Sequence, residues 1–212
     1  MATKQTKLSK ILLVGDIHGS ATAIKEITKK SKSVDIIVCV GDFTTFERNF
    51  DKIFAKLDSL NKKILILHGN HESLKRVKHA SKHSKNIVFI HDKFFVFNNI
   101  IVYGYGGGGF SFNEPLLERK IPKLKKKFLK YQKKIENSKA IIVYHQPPYG
   151  VITDNIFELK THVGSKTKMR LVKEITPDVV VSGHIHETNY KKETKNDVLF
   201  INPGPKGRII RL

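Results

Sequence analysis

Short apolar runs recur along the chain, and several of them end in a small residue followed by a polar one. The first run, residues 11–15, leads directly into Asp16 and His18. A continuous apolar run is typical of a strand that is buried on both faces. Because residues two apart in an extended segment point to the same side, we expect Asp16 and His18 to converge. The pattern therefore predicts a buried strand whose carboxyl end presents two ligand-type side chains.

The first half of the chain alternates such strands with segments of helical periodicity. Buried strands are predicted around residues 11–15, 35–42 and 63–69, and helices over residues 22–32, 46–60 and 73–85. We expect Ser73 to cap the third helix. The β-α-β-α-β-α order is typical of a parallel sheet covered by helices.

The second half has a different rhythm, in which short strands follow one another closely. Strands are predicted over residues 87–90, 94–97, 100–103, 198–201 and 208–211, with two more leading into His145 and His184. A glycine-rich loop covers residues 104–109, and helices are predicted over residues 122–137 and 166–175. We predict one domain over residues 1–212, with two packed sheets inside and helices outside.

Composition changes this picture mainly through charge. The chain has 40% hydrophobic and 27% charged residues, which is ordinary for a globular protein, but its net charge is +20. Such a field attracts polyanions, so nucleic acid is one candidate partner. Only six of the 39 basic residues are Arg. Lysine enrichment also occurs in proteins that do not bind nucleic acid. The charge alone therefore does not show whether this protein binds nucleic acid.

Other features bear on location. No run approaches the ~18 consecutive apolar residues that a membrane span requires, and the first ten residues lack the apolar core of a secretory signal. The single cysteine, Cys39, cannot form an internal disulfide and is best interpreted as a small buried hydrophobe. These observations favour a cytoplasmic protein that does not bind membranes, and they leave the oligomeric state open.

The polar residues that follow the apolar runs are all oxygen or nitrogen donors. They are Asp16, His18, Asp42, Asn70, His71, His145, His184 and His186. Because parallel strands bring their carboxyl ends to one edge, we expect these side chains to lie close together. Mixed carboxylate and imidazole donors suit transition metals better than Mg²⁺ or Ca²⁺ alone. Two cations about 3.5–4 Å apart would need a bridging carboxylate, with the remaining ligands divided between them.

In order, the motifs Asp-x-His, Gly-Asp, Gly-Asn-His-Glu, His and Gly-His-x-His cover residues 11–186 and resemble the signature of the calcineurin-like metallophosphoesterases. The resemblance implies an α/β fold, a four-layer α/β/β/α sandwich of two mixed β-sheets flanked by helices. It also implies two divalent metal ions. The implied ligands are Asp16, His18 and His186 for the first ion, Asn70, His145 and His184 for the second, and Asp42 as the bridge. Mn²⁺ is the expected metal, with Fe, Zn²⁺, Co²⁺ and Ni²⁺ as alternatives.

The resemblance further implies the reaction, which is hydrolysis of a phosphoester, with phosphodiesters favoured, by a metal-bridging hydroxide. His71, which is not a ligand in the family, would protonate the leaving oxygen or stabilise the transition state. Glu72 and Asp154 are candidates for carboxylates that orient ligating histidines. We interpret the glycine-rich loop as a flexible segment beside the metal centre, since a dinucleotide site would need a following helix pattern.

Two segments indicate the branch of the family. The residues after Asp42 read Phe-Thr-Thr-Phe and lack the arginine that binds the phosphoryl group in the phosphoprotein phosphatases. Residues 145–150, 161–165 and 202–205 are more similar to small prokaryotic phosphoesterases of the Icc-related type. In that group the segment containing His162 lies near the metals, so His162 would contact the phosphoester substrate, with nucleotides among the candidates. A histidine on a surface loop is an equal alternative for this position.

Two other functions are compatible with these motifs. A nuclease acting on DNA or RNA would use the basic charge, although the chain lacks the capping domain of the repair nucleases. A non-catalytic protein-binding scaffold would keep the fold, but such scaffolds usually lose metal ligands or the catalytic histidine. This chain keeps every one of them.

Overall fold

A computed structural model describes residues 8–212, which form two large β-sheets and a small β-hairpin with six α-helices around them. The elements of the first half are β1 (Lys10–Val14), α1 (Ala21–Ser31), β2 (Ile36–Cys39), α2 (Phe50–Asp58), β3 (Ile64–Ile66), α3 (Leu74–Lys82), β4 (Ile87–Phe89), β5 (Lys93–Phe97) and β6 (Ile100–Tyr105). The remaining elements are α4 (Pro115–Glu118), α5 (Ile121–Lys134), β7 (Lys139–Tyr144), β8 (Asn155–Ile156), β9 (Thr161–His162), α6 (Lys166–Ile175), β10 (Val179–Val181), β11 (Lys192–Lys195), β12 (Val198–Ile201) and β13 (Arg208–Arg211).

Both large sheets are mixed. The first has the order β13-β1-β2-β3-β4, in which β1 to β4 are parallel and β13 is antiparallel to β1. The second has the order β11-β12-β10-β7-β6-β5, with parallel central strands and antiparallel edges. The predicted hairpin of β5 and β6 is confirmed, whereas β4 completes the parallel sheet instead of joining the hairpin strands.

Three apolar layers hold the sheets and helices together. Alternate residues of β1 face opposite ways, so Leu12 and Val14 pack under α1 and α2, while Ile11 and Leu13 pack against the second sheet. On the far side of the second sheet, a separate apolar cluster lies beneath α4, α5 and α6. The order of layers is therefore helix, sheet, sheet, helix. This confirms the expected four-layer α/β/β/α sandwich.

The helix predicted over residues 46–60 begins later than its apolar spacing indicates. Phe46, Glu47 and Asn49 have φ values of 48°, 59° and 53°, which no right-handed helix contains, and α2 starts at Phe50. The cause lies in a neighbouring loop, because His71 accepts a hydrogen bond from the Phe46 amide and its carbonyl accepts one from the Glu47 amide. The segment is thus tied to His71 and cannot join the helix.

The short helix α4 was not predicted, and the four remaining helices agree with prediction to within a few residues. The Ser73 hydroxyl accepts a hydrogen bond from the Arg76 amide at 3.3 Å, which confirms the predicted cap of α3. Within residues 8–212, none of the helices combines the length and the apolar composition that a bilayer crossing requires. The expectation about a secretory signal concerns mostly residues 1–7, which lie outside the described residues.

Candidate metal centre

The side chains predicted for the metal site lie together at one edge of the sandwich. Loops after β1, β2 and β3 of the first sheet face loops after β7 and β10 of the second sheet across this edge. Three sets of donor atoms each fall within 4.8 Å of one another: Asp16, His18 and His186; His18, Asp42 and His71; and Asp42, His145 and His184. Because His18 and Asp42 each belong to two sets, the donors form one continuous array.

Asp42 lies in the middle of this array. Its Oδ2 atom is 3.3 Å from His145 Nε2 and 3.9 Å from His18 Nε2. Asn70 completes the side near the second sheet, since its Oδ1 atom is 2.8 Å from both His145 Nε2 and His184 Nδ1. The structure thus brings together the seven predicted ligands.

The backbone reaches this arrangement through tight turns and not through extended strands. β1 ends at Val14, and Asp16 and His18 have φ values of 52° and 46°. The side chains of Asp16 and His18 do converge as expected. The predicted reason is wrong, because they lie in a turn and not in an extended strand. Asp42 and His184 are also left-handed, with φ values of 50° and 72°. Each such residue costs on the order of 1–3 kcal/mol, so the surrounding contacts must hold these turns in place.

Three glycines allow the loops to approach one another. A Cβ atom on Gly69 would lie 1.9 Å from Asp42 Oδ1, and one on Gly183 would lie 2.5 Å from Asp16 Oδ2. A Cβ atom on Gly41 would lie 2.5 Å from the Gly69 amide nitrogen. No side chain fits at these positions, because the space is occupied by the carboxylates and backbone of the donor loops.

Hydrogen bonds to backbone carbonyls orient two of the imidazoles. His18 Nδ1 lies 3.1 Å from the Thr44 carbonyl, and His145 Nδ1 lies 3.2 Å from the Val40 carbonyl. With the proton on Nδ1, each ring directs the lone pair of Nε2 toward the centre of the array. His18 Nε2 and His186 Nε2 are 3.2 Å apart. Two imidazole nitrogens that are bound to the same ion, each at about 2.1 Å, lie roughly 3.0–3.4 Å apart. The spacing of His18 and His186 therefore fits a metal ion that both residues bind.

The pKa shifts favour metal binding as well. Burial lowers the pKa of His18, and it lowers the pKa of His184 to about 4, so both rings are neutral and free to donate lone pairs at pH 7. Burial acts to raise the pKa of Asp42, but hydrogen bonding and charge from His145 outweigh it and bring this pKa down to about 2. The same pairing raises the pKa of His145 against the effect of burial. A cation bound between these two groups would replace the positive charge of His145 as the partner of Asp42.

Burial also raises the pKa of the Asp16 carboxyl, which makes its negative charge costly without a partner. The His184 amide is 3.1 Å from both carboxylate oxygens of Asp16 and donates to them. A bound cation would stabilise this buried charge far more than the amide alone. The chemistry of the donors therefore fits one or more divalent metal ions.

His71 differs from His18 and His145 in its tautomer. Its Nδ1 atom accepts a hydrogen bond from the Phe46 amide at 3.2 Å, so in the neutral ring the proton must be on Nε2. That Nε2 atom faces the centre, 3.9 Å from Asp42 Oδ2. A ring nitrogen that carries a proton cannot be a metal ligand but can donate a hydrogen bond. The geometry thus supports the predicted separation of His71 from the ligands.

The two predicted orienting carboxylates behave differently from expectation. Glu72 forms no hydrogen bond with a histidine among residues 8–212; its carboxylate accepts from the amides of Asp42, Thr44 and Gly69 at 2.8–3.1 Å. Burial and the nearby charge of Asp42 raise the pKa of Glu72 to about 7. Glu72 therefore joins the loops of the first sheet, and the prediction that it orients an imidazole is wrong.

Asp154 does orient a histidine, but it is His162, which belongs to none of the three donor sets. Asp154 Oδ1 is 2.6 Å from His162 Nδ1, and its fully buried carboxylate also accepts from the amides of Gly150, Val151 and Gly164. The His162 side chain is 39% exposed and its ring centroid lies 5.7 Å from that of Tyr149. His162 is fixed in orientation and open to solvent.

Two exposed aromatic rings beside the centre were not predicted. The Phe46 ring lies 4.2 Å from that of His71 and is 71% exposed, and the Phe110 ring lies 5.0 Å from that of His184 and is 63% exposed. Phe110 follows the glycine-rich loop, whose Gly107 amide donates to the His68 carbonyl. The predicted position of this loop beside the donor array is therefore confirmed. The only sequence signal for Phe46 is its place between the Gly-Asp and Gly-Asn-His-Glu motifs.

Lys168 is the other residue that sequence reasoning missed. Its side chain is fully buried, with Nζ 3.0 Å from Glu114 Oε1 and 3.2 Å from Gln146 Oε1. Gln146 follows His145 directly, and its Nε2 donates to the Ser111 carbonyl at 3.0 Å. This buried cation therefore joins α6 to the segments that carry His145 and Phe110.

Comparison with known proteins adds a family and a fold. A family model described as calcineurin-like phosphoesterase matches residues 9–188. A search of curated proteins finds no match to the chain. TT1561 from Thermus thermophilus superposes with a TM-score of 0.70 at 15% identity, covering 94% of this chain and 91% of that one. A dimetal phosphatase from Danio rerio superposes with a TM-score of 0.66 at 13% identity, covering 93% and 87%.

A third solved structure is that of the phosphopantetheinyl hydrolase PptH from Mycobacterium tuberculosis. Its TM-score is 0.59 at 16% identity, with 92% of this chain and 88% of that chain covered. At these identities the superpositions establish the fold. They agree with the helix, sheet, sheet, helix order of layers described above.

Proposed function

The chain belongs to the calcineurin-like phosphoesterase family, and from that premise we propose that it hydrolyses phosphodiesters in preference to phosphomonoesters, using two divalent metal ions. One observation carries the assignment of two metal ions. Asp42 Oδ2 lies between a donor set that contains His18 and one that contains His145. A central carboxylate with ligands on both sides is the arrangement that a dinuclear centre requires.

We assign the first ion to Asp16, His18 and His186 and the second to Asn70, His145 and His184, with Asp42 shared. Mn²⁺ is our proposed metal, because the donors are a mixture of oxygen and imidazole nitrogen. When bound, the two ions would supply Lewis acidity, lowering the pKa of a water molecule and offsetting charge on the phosphoryl oxygens.

The residues around the ions divide into a floor and an open side. Asp16, Asp42 and His145 are at most 4% exposed, whereas the side chains of His18 and His71 are 20% and 17% exposed. His186, which belongs to the same donor set as His18, is exposed. A phosphoester would therefore approach from the side of His18, His71 and His186. There His71 would donate a hydrogen bond from Nε2 to a phosphoryl or leaving oxygen and so stabilise the transition state, while the Phe46 amide holds the ring in the required tautomer.

The direct test uses metal-stripped protein and two chromogenic substrates, bis(4-nitrophenyl) phosphate and 4-nitrophenyl phosphate. We expect added Mn²⁺, Zn²⁺, Co²⁺ or Ni²⁺ to restore cleavage, with the diester cleaved faster. His186→Asn should reduce the restored activity and the metal content, whereas His79→Asn, on an exposed face of α3, should change neither. Retention of both ions without cleavage of either ester would contradict the proposal and favour a binding scaffold.

A nuclease is the second candidate, and the charge of α5 favours it. This helix exposes Lys126, Lys130 and Lys133 along one groove, and within residues 8–212 none of the three forms an ion pair. Metal-dependent cutting of single- or double-stranded DNA or RNA, with affinity that falls steeply as salt rises, would identify this activity. Cleavage of small diesters without any cutting of polymers would exclude it.

Two further expectations complete the proposal. We propose one domain over residues 1–212, which predicts a single cooperative unfolding transition in calorimetry.

We also propose a cytoplasmic location, supported by a single cysteine, Cys39, which is buried and unpaired.

A further inference from the structure

A large groove lies between α1 and α2 and opens beside the metal centre. It has a volume of about 1020 Å³, and His18, which belongs to two of the donor sets, forms part of its wall. Ile24 and Ile53 contribute apolar surface to the groove. The volume is at the upper end of the ~300–1,000 Å³ typical of ligand sites, so the groove could hold an organic body and not only an inorganic anion.

Four basic side chains surround this apolar surface. Lys25, Arg48, Lys52 and Lys56 all line the groove and are exposed, and within residues 8–212 none of them lies within 4.0 Å of a carboxylate. Arg76 of α3 is different, because its guanidinium forms ion pairs with Glu47 at 3.0 Å and Asp51 at 3.1 Å. The groove therefore carries positive charge that the described protein does not neutralise.

We propose that this groove binds a second phosphate group of the substrate, carried on a nucleotide-sized organic body that lies between α1 and α2. The inference rests on the proposed function, since the scissile phosphate must be held at the metal centre. His18 links the two sites, so a single molecule can place one phosphate at the metals and another among the four cations. Lysine ammonium groups attract phosphate as point charges, and Arg48 can bind two of its oxygens.

A second basic groove provides an internal comparison. The groove along α5 is also lined by lysines and by apolar side chains, among them Leu129, but every residue that lines it lies within residues 122–134. It contains no residue of the donor sets. If charge alone controlled substrate preference, lysines of both grooves would contribute equally. If position beside the metals is required, only those of the groove between α1 and α2 would matter.

The experiment compares two chromogenic diesters that differ by one phosphate, thymidine 5′-(4-nitrophenyl phosphate) and its 3′-phosphorylated form. With the Mn²⁺-loaded protein we expect the 3′-phosphate to raise kcat/KM about tenfold, which is the effect of one charge-assisted hydrogen bond. In Lys25→Gln/Lys52→Gln this ratio should fall toward one. In Lys126→Gln/Lys130→Gln, the matched control in the α5 groove, the ratio should stay at its wild-type value.

Calorimetry supplies a readout that does not depend on turnover. The metal-loaded protein should bind thymidine 3′,5′-bisphosphate more tightly than thymidine 5′-monophosphate, and the Lys25→Gln/Lys52→Gln variant should lose this difference. Equal affinities in the wild type, or a difference that survives the double substitution, would overturn the proposal. Circular dichroism would verify that the variants are folded.

The outcomes separate this inference from the proposed function. Cleavage of the two thymidine diesters at equal kcat/KM would support the proposed phosphoesterase activity and reject the groove as a phosphate site. Failure to cleave either ester, together with tighter binding of the bisphosphate that depends on Lys25 and Lys52, would reject the proposed reaction and retain the groove as a ligand site.

Discussion

The two sheets support their halves of the candidate metal centre with buried groups of different chemistry, a carboxyl group on the first sheet and an ammonium group on the second. On the first sheet, the Glu72 carboxylate accepts hydrogen bonds from the amides of the loops after β2 and β3. On the second sheet, the buried ammonium of Lys168 pairs with Glu114 and Gln146 below the loop after β7. Glu72 binds the backbone amides of Asp42 and Gly69, which are a candidate ligand and a neighbour of one. Lys168 instead connects the segments that contain Glu114 and Gln146, which surround the candidate ligands. We infer that Glu72 controls the geometry of the donors and that Lys168 controls the stability of their surroundings.

Asp42→Asn should have the largest effect, because it removes the carboxylate where the two halves meet. The amide cannot supply the negative charge shared by two ions, so we expect metal content and turnover to fall together, with turnover reduced roughly a thousandfold. Metal analysis and diester hydrolysis measure both quantities. Full occupancy by two ions with wild-type turnover would show that the halves do not meet at Asp42.

Lys168→Met isolates the support on the second sheet. Removing one partner of a buried ion pair leaves the carboxylate of Glu114 without compensation, at a cost of about 3–5 kcal/mol in unfolding free energy. Urea denaturation of the metal-free protein measures this loss. A double variant, Lys168→Met with Glu114→Leu, should regain much of the stability, since neither charge is then left buried. Equal instability in the single and double variants would contradict the pairing.

His71→Ala tests whether a residue of the first sheet can be catalytic without being a ligand. We expect both ions to remain bound and turnover to fall at least about a hundredfold, in the range typical of a lost hydrogen-bond donor to the transition state. Metal analysis of the same preparation is essential here. Loss of an ion from the variant would place His71 among the ligands, and full activity would remove it from the mechanism.

Glu72→Gln should have the smallest effect of the four, because glutamine keeps one acceptor oxygen for the amides of the first sheet. We expect metal affinity to fall about tenfold, as for other groups that act through a ligand, with a smaller loss of stability than in Lys168→Met. Competition with a chelator measures the affinity. A variant with normal metal affinity but greatly reduced stability would show that Glu72 and Lys168 have the same role.

The clustering of the candidate ligands could be predicted from the sequence because each of them follows an apolar strand, and strand ends collect at one edge of a sheet. The turn at Phe46 could not, since Phe46 and Phe50 continue the helical spacing of α2 and only the contacts to His71 interrupt it. Lys168 could not be recognised either. A lysine in a polar helix segment is normally exposed, and its burial depends on Glu114, 54 residues earlier in the chain.

The apolar layer between the sheets has a consequence for the choice of metal. Leu13 and Val38 of the first sheet pack in this layer with Val143 and Val181 of the second sheet. All four lie near the carboxyl ends of their strands, just before the loops that carry the donor side chains. Well-packed interiors deform little, so the layer fixes how far apart the donors of opposite sheets can lie. Discrimination between ions of different radius would then depend on aliphatic side chains that touch no ion, and enlarging or trimming them would change which cation fits.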